Sequence, residues 1–292
     1  MKDYIIRAID EDASFRVFIA SSTNMVEKAR SIHNTSPVAT AALGRTLTGT
    51  AIMGNMLKGD KDKLTIQFRG DGPINNILAV SNSKGQVKGY ISNPNVEVED
   101  RSDGKLNVGG AVGRNGKLIV IRDMGLKEPY IGQSNIVSGE IAEDLANYFT
   151  ASEQQPSAVA LGVLVDRDRT VKASGGVIVQ VLPNIEEEVL TKLEKNITIL
   201  SFISSLIDEG STPEDILEQV FGEFSMKITE KKEIEFICDC NKERMEKALI
   251  SLGKDELKNI LKEDNKAELV CHFCNEKYNF GKDELENLIN SI

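Results

Sequence analysis

The residues with the clearest chemistry lie near the end of the chain: Cys238-Asp239-Cys240, a gap of 30 residues, then Cys271-His272-Phe273-Cys274. These are the protein's four cysteines. Each short pair puts two sulfurs on one tight turn, and the gap lets the chain return with the second pair. That is the pattern of a tetrahedral metal site, and four thiolates with no open position match structural zinc. The first pair has one intervening residue where most zinc knuckles have two. His272 is an alternative ligand, although four thiolates leave it no required place. Asp239 reads as the turn residue of its pair.

Three kinds of chemistry fit this tetrad. The first is a zinc that only holds a fold together. The second is thiol-disulfide exchange at Cys271/Cys274, which would need a strand-to-helix junction where the flanks here read as strands. The third is a zinc-held redox switch. Elsewhere a nucleophile and base cannot be assembled: the first 180 or so residues contain no cysteine, and His33 is their sole histidine. An isolated helical histidine is ordinarily packed or solvated, so the expectation is no catalytic residue and no enzyme.

The chain has 292 residues, 40% hydrophobic and 27% charged, with a net charge of −10. Phosphate binding needs clustered Lys and Arg, so the acidic balance argues against a nucleic-acid partner. From Lys231 to Ile292 there are 11 Lys and Arg against 14 Asp and Glu, and zinc with four thiolates adds a formal −2. No run approaches the ~18 apolar residues of a membrane span, and Arg7 interrupts the N-terminal apolar run too early for a secretory segment. The expected location is the cytoplasm, where thiols stay reduced.

The elements needed to position the tetrad divide the chain in three. Residues 1–183 read as a mixed α/β domain. Strands are expected at Tyr4–Ile9 and Phe15–Ala20, with a helix from Asn24 to Ile32 capped by Thr23 or Asn24. A second helix has Ser36 as cap, Pro37 in its first turn and Gly59 as its stop. Strands follow around Leu64–Phe68, Ile77–Val80, Val87–Ile91 and Leu118–Ile121. Ser138 is expected to cap a helix reaching Tyr148, before strands at Val159–Val165 and Val171–Val181. The glycines at Gly70-Asp71-Gly72 and Gly109-Gly110 read as turn and bulge residues, because neither site has the strand–loop–helix order or lysine of a phosphate loop.

Residues 184–230 read as a helical linker, with helices and no strand signal over 185–224. Val189, Leu190, Leu193 and Ile197 make an apolar stripe, continued by Leu200, Ile203, Leu206 and Ile207, then by Ile216, Leu217, Val220 and Phe221. So broad an apolar surface on so short a segment must cover something, and release would expose it. Residues 231–292 form the metal module, with a strand at Ile234–Ile237 and a helix from Asn241 to Leu252. Helical Asp255–Lys262 follows, then strands on both sides of the second cysteine pair and a terminal helix, Asp283–Ile289. The fold class is therefore α+β: a mixed α/β N-terminal domain, a helical linker and a small zinc-binding module.

The C-x-C/C-x-x-C pattern near the C-terminus resembles that of the bacterial redox-regulated holdase chaperones, the thirty-three-kilodalton heat-shock proteins. The resemblance extends to Ala42-Leu43-Gly44-Arg45, Gly70-Asp71-Gly72-Pro73, Tyr90-Ile91-Ser92-Asn93-Pro94, Ser138-Gly139-Glu140 and Ser152-Glu153-Gln154-Gln155-Pro156. It implies an ATP-independent holdase that binds one zinc per chain through Cys238, Cys240, Cys271 and Cys274, and is inactive when reduced. Under oxidative or heat stress, Cys238–Cys240 and Cys271–Cys274 disulfides would form and zinc would leave. The linker would loosen, and an oxidised homodimer would hold unfolding or oxidatively damaged clients for an ATP-driven foldase. The resemblance assigns client binding and dimerisation to residues 1–183, redox sensitivity to 184–230 and the switch to 231–292.

Magnitudes make such a switch reasonable. Zinc contributes roughly 10–16 kcal/mol to folding a small domain. Disulfides closing loops of three and four residues would contribute about 1.5–2 kcal/mol each before strain, too little to replace it. The competing readings are a zinc-stabilised protein- or nucleic-acid-binding module and a thiol-disulfide oxidoreductase using Cys271/Cys274.

Overall fold

Alternating apolar residues build the first two strands, β1 (Tyr4–Ile9) and β2 (Phe15–Ser21), and both faces of each are buried. The computed structural model describes residues 2–183 and 185–292, so Asn184, the first residue of the expected linker, lies outside the described residues. Next come α1 (Thr23–His33) and α2 (Pro37–Asn55), then the strands β3 (Lys63–Arg69), β4 (Asn76–Asn82) and β5 (Gln86–Ile91). They are followed by α3 (Val108–Val112), β6 (Lys117–Asp123), β7 (Tyr130–Asn135) and α4 (Ala142–Glu153). The strands β8 (Ser157–Val165) and β9 (Val171–Val181) precede the linker.

The linker is helical from Glu187 to Phe224, as its apolar spacing predicts, but its last expected residues, 227–230, lie in a strand paired with β1. The helical part comprises α5 (Glu187–Asn196), a 3-10 segment at Ile197–Phe202, α6 (Ile203–Asp208), α7 (Pro213–Phe221) and a 3-10 turn at Gly222–Phe224. Thr212 and Asp215 form a reciprocal capping box at the start of α7, with Pro213 in its first turn. Two strands then return to the sheets, β10 (Lys227–Glu233) and β11 (Glu235–Phe236).

These elements form two sheets. One has the order β10-β1-β2-β9-β8 and is antiparallel throughout; the other has the order β11-β5-β4-β3-β6-β7, antiparallel except for the β11–β5 pair. Helix α2 is buried along almost its whole length, and its small residues permit close approach: a Cβ on Gly44 would lie 2.6 Å from a Val26 methyl. Its buried threonines are satisfied locally, Thr46, Thr48 and Thr50 each donating to the carbonyl four residues back.

Strand alternation separates two cores. Ile5, Phe18, Ala20 and Ile178 face a core shared with α1, α2, α4 and the six-stranded sheet. Their neighbours Tyr4, Ile6, Ala8, Phe15, Val17, Ile19, Val177 and Val179 face the opposite way. That second face is covered by Leu193, Leu200, Ile203, Leu206, Ile216, Leu217, Val220 and Phe221 of the linker. The apolar stripe read from sequence is the cover of an apolar sheet.

Contacts divide the chain into two compact units, Met1–Ile237 and Cys238–Ile292. The linker helices thus belong with the α/β unit. Residues 231–237, expected with the metal module, pair with β1 and β5 in the first unit's sheets because their backbone groups complete those sheet edges. The second unit contains α8 (Lys242–Ile250), α9 (Lys254–Asp264), β12 (Ala267–Val270), β13 (Lys277–Phe280) and α10 (Lys282–Asn290). Its buried core is Leu249, Leu257, Phe280, Leu285 and Ile289.

Several local expectations are corrected. Helix α1 is not capped by Thr23 or Asn24: the carboxylate of Asp3 accepts from Met25 N (2.6 Å) and Asn24 Nδ2 (2.9 Å). Ser36 precedes α2 as expected, but its hydroxyl donates to the Val96 carbonyl. Ser138 is not the cap of α4. Ile141 holds that position with φ 66°, while the Asp144 carboxylate gathers the N–H groups of Val137, Ser138 and Ile141. Gly109 and Gly110 lie in α3 rather than in a turn or bulge, and Gly109 N donates to Glu140 Oε1. A Cβ on Gly109 would meet the Ser138 carbonyl at 2.6 Å, so close packing requires this glycine.

Candidate metal centre

The approach to the first cysteine pair is fixed by main-chain bonds within the first unit. Ile234 N donates to Asp3 O, Glu235 N to Gly85 O and Ile237 N to Val87 O (2.9 Å). Cys238 is the next residue. Beyond the pair, Asn241 caps α8 by accepting from Arg244 N (2.9 Å), as its sequence position predicts. Arg244 also holds the intervening Asp239, bonding its carboxylate at 2.6 Å and its carbonyl at 3.1 Å. The turn residue is therefore also an ion-pair partner.

The second pair sits between antiparallel β12 and β13, in the strand–turn–strand arrangement read from sequence. Cys271 N donates to Glu276 O, and Cys271 O accepts from Cys274 N and Asn275 N. Asn275 takes a left-handed conformation, φ 58°, which lets the chain reverse. This setting differs from the strand-to-helix junction required by a thioredoxin-like site.

The fold brings all four predicted residues together. The sulfurs of Cys238, Cys240, Cys271 and Cys274 all lie within 4.8 Å of one another and could hold a metal ion. Cys238 Sγ is 3.7 Å from Cys271 Sγ, and Cys240 Sγ is 3.3 Å from Cys274 Sγ. Cys271 is buried and the other three are half-buried. As free thiols they divide electrostatically. Burial raises Cys238 and pushes Cys274 up to about 11. Burial also acts upward on Cys240, but hydrogen bonds from Tyr278 and the other thiols bring it below its ordinary value.

Tyr278 is the residue that sequence reading missed. Its hydroxyl donates to Cys240 Sγ at 3.1 Å, bridging from the hairpin of one cysteine pair to the other. It was legible as a strand residue, but no ligand-spacing rule marks it. His33, set aside as a catalyst, packs in the first unit with Nε2 3.0 Å from Gly89 O.

A family model described as Hsp33 protein matches residues 3–281. The chain belongs to the Hsp33 family. The 33 kDa chaperonin of Alkaliphilus metalliredigens is 53% identical over 292 residues, covering all of both chains, and that of Clostridioides difficile is 51% identical with the same coverage. The crystal structure of the 33 kDa chaperonin from Thermotoga maritima matches with a TM-score of 0.92 and 43% identity, covering 100% of this chain and 99% of that one. Hsp33 membership supports a chaperone function. No helix among the described residues is long and apolar enough to cross a membrane.

Proposed function

We propose that this chain is an ATP-independent holdase chaperone of the cytoplasm, switched on by oxidation of its cysteine centre. The observation that carries the reading is the four-sulfur cluster, which follows in sequence, after β10 and β11, a linker that covers an apolar sheet face.

The donor set fits zinc. Four sulfurs about 2.3 Å from a tetrahedral Zn²⁺ lie about 3.8 Å apart, a spacing bracketed by the 3.3 and 3.7 Å contacts and the 4.8 Å limit. Cys238, Cys240, Cys271 and Cys274 would hold one zinc per chain in the reduced state. When bound, it supplies cross-links to a unit whose buried core has only five apolar side chains.

Oxidation of two thiols to a disulfide releases two protons and two electrons, and a peroxide accepts them as two waters. The Cys238–Cys240 and Cys271–Cys274 disulfides would consume all four ligands. Without the centre, residues 238–292 lose their main constraint, and in this reading the loosening spreads back along the chain through β11 and β10 to the linker. Release of the linker would uncover Phe15, Val17, Ile19 and their neighbours, a surface suited to apolar segments of unfolding or oxidatively damaged proteins. In this reading the oxidised protein is a homodimer and passes clients to an ATP-driven foldase under oxidative and heat stress.

The reading is tested by measuring zinc and free thiols during peroxide treatment. About one zinc per chain should leave as the four thiols disappear. Full zinc retention after thiol loss would overturn it.

A further inference from the structure

The sulfur of Cys240 has a partner that is not a cysteine. Tyr278 lies on β13, opposite Leu269 on β12, so the hairpin carrying Cys271 and Cys274 sets its position. Its hydroxyl reaches across to Cys240 Sγ at 3.1 Å. The contact therefore ties the two cysteine motifs together through protein atoms, independently of a shared metal. Cys240 also lies 3.3 Å from Cys274 Sγ, so the tyrosine joins a sulfur already inside the cluster.

We propose that Tyr278 is a positioning residue of the cysteine centre: its hydroxyl holds the Cys240 sulfur in place and shields it from oxidants. The proposal rests on the zinc-redox reading above. A hydrogen bond donated to a thiolate draws charge from its lone pairs and fixes its direction. Groups that orient metal ligands in this way typically contribute 10–100-fold in metal affinity. The same bond opposes oxidation. When the thiolate attacks a peroxide, an S–O bond forms, the O–O bond breaks, and the departing hydroxide takes a proton to become water. The neighbouring thiolate then attacks that sulfur, an S–S bond forms, and the second oxygen leaves as water after protonation. A lone pair engaged by Tyr278 is less available for the first attack, so Cys240 should be the guarded member of its pair.

The test uses the full-length reduced protein loaded with zinc, and compares it with Tyr278→Phe, which removes only the hydroxyl. Two quantities are read: zinc retention against a competing chelator, and peroxide-dependent loss of alkylatable thiol at Cys240 and at Cys271. The proposal predicts about tenfold weaker zinc retention and severalfold faster loss at Cys240, with little change at Cys271. Wild-type values for both quantities in Tyr278→Phe would overturn it. A second variant, with 3-fluorotyrosine at 278, keeps the ring and strengthens the donor. It should slow oxidation at Cys240, and faster oxidation there would contradict the proposal even if the phenylalanine variant folds poorly. The chelator measurement separates this inference from the redox reading. If wild-type thiols ignore peroxide, that reading fails while the zinc comparison still decides whether Tyr278 holds Cys240.

Discussion

The ring of Phe221, on the last linker helix, lies 6.2 Å from that of Phe15 on β2, with the planes tilted by 41°. Both side chains are fully buried, and Phe224 also meets Phe15 at 5.2 Å, edge to face. This aromatic group fastens the C-terminal end of the linker to the sheet beneath it.

Phe221→Ala should therefore loosen the linker without touching a cysteine. Removing a buried phenylalanine ring costs about 3–5 kcal/mol. The reduced, zinc-loaded variant should bind a hydrophobic dye and show faster amide exchange in α5–α7, while the six-stranded sheet stays protected. Unchanged dye binding and exchange would show that this cluster does not hold the cover closed.

Acid should act on the same cover through Glu214. This α7 residue accepts hydrogen bonds from Lys231 on β10 and Tyr4 on β1. Burial pushes its carboxyl up, but those two partners hold it below its ordinary value of 4.5. A depressed carboxyl contributes stability that is present above 4.5 and lost as pH falls through the lower folded value. Amide exchange in α7 should accelerate across that acidic window in the wild type. The Glu214→Gln variant should lack this component, and identical profiles would contradict the assignment.

The linker's role was legible because its apolar residues recur at helical spacing, from Leu193 through Phe221, on a segment with little core of its own. The cysteine centre was legible for a similar local reason: close pairs write their geometry into the sequence. What stayed hidden depends on distant partners. Strand β10 reads as Lys-Ile-Thr-Glu-Lys-Lys-Glu, a charged and largely exposed edge whose only strand signal is its pairing with β1. Strand β7 carries Gly132 and a polar tail, so it shows no apolar alternation. Asp3 caps α1 from outside the helix, and Tyr278 meets Cys240 from 38 residues away.

Removal of zinc from the reduced protein should unfold the small unit selectively. Its five-residue core is too slight to replace a contribution of roughly 10–16 kcal/mol. Chelation should abolish amide protection in β12 and β13 while β2 and β9 remain protected. Persistent protection in the β12–β13 hairpin would mean that the unit folds without metal.

Disulfide mapping tests the pairing. Two close sulfur contacts run between motifs, Cys238 to Cys271 at 3.7 Å and Cys240 to Cys274 at 3.3 Å, and all four atoms lie within 4.8 Å of one another. Proximity alone therefore does not select partners. The resemblance to the redox-regulated holdases implies the pairs Cys271–Cys274 and Cys238–Cys240. The former should appear first, because the three-residue ring of the latter is more strained. Peptides cross-linked between motifs, or Cys238–Cys240 alone at partial oxidation, would contradict this sequence of events.

The most direct test of the central claim is light scattering from a heat-unfolded client in the presence of this protein. The zinc-loaded, reduced form should give little protection, whereas peroxide treatment at elevated temperature should suppress aggregation, and dithiol with zinc should reverse the effect. Equal protection by both forms would contradict oxidation as the switch, and no protection by either would contradict the holdase itself.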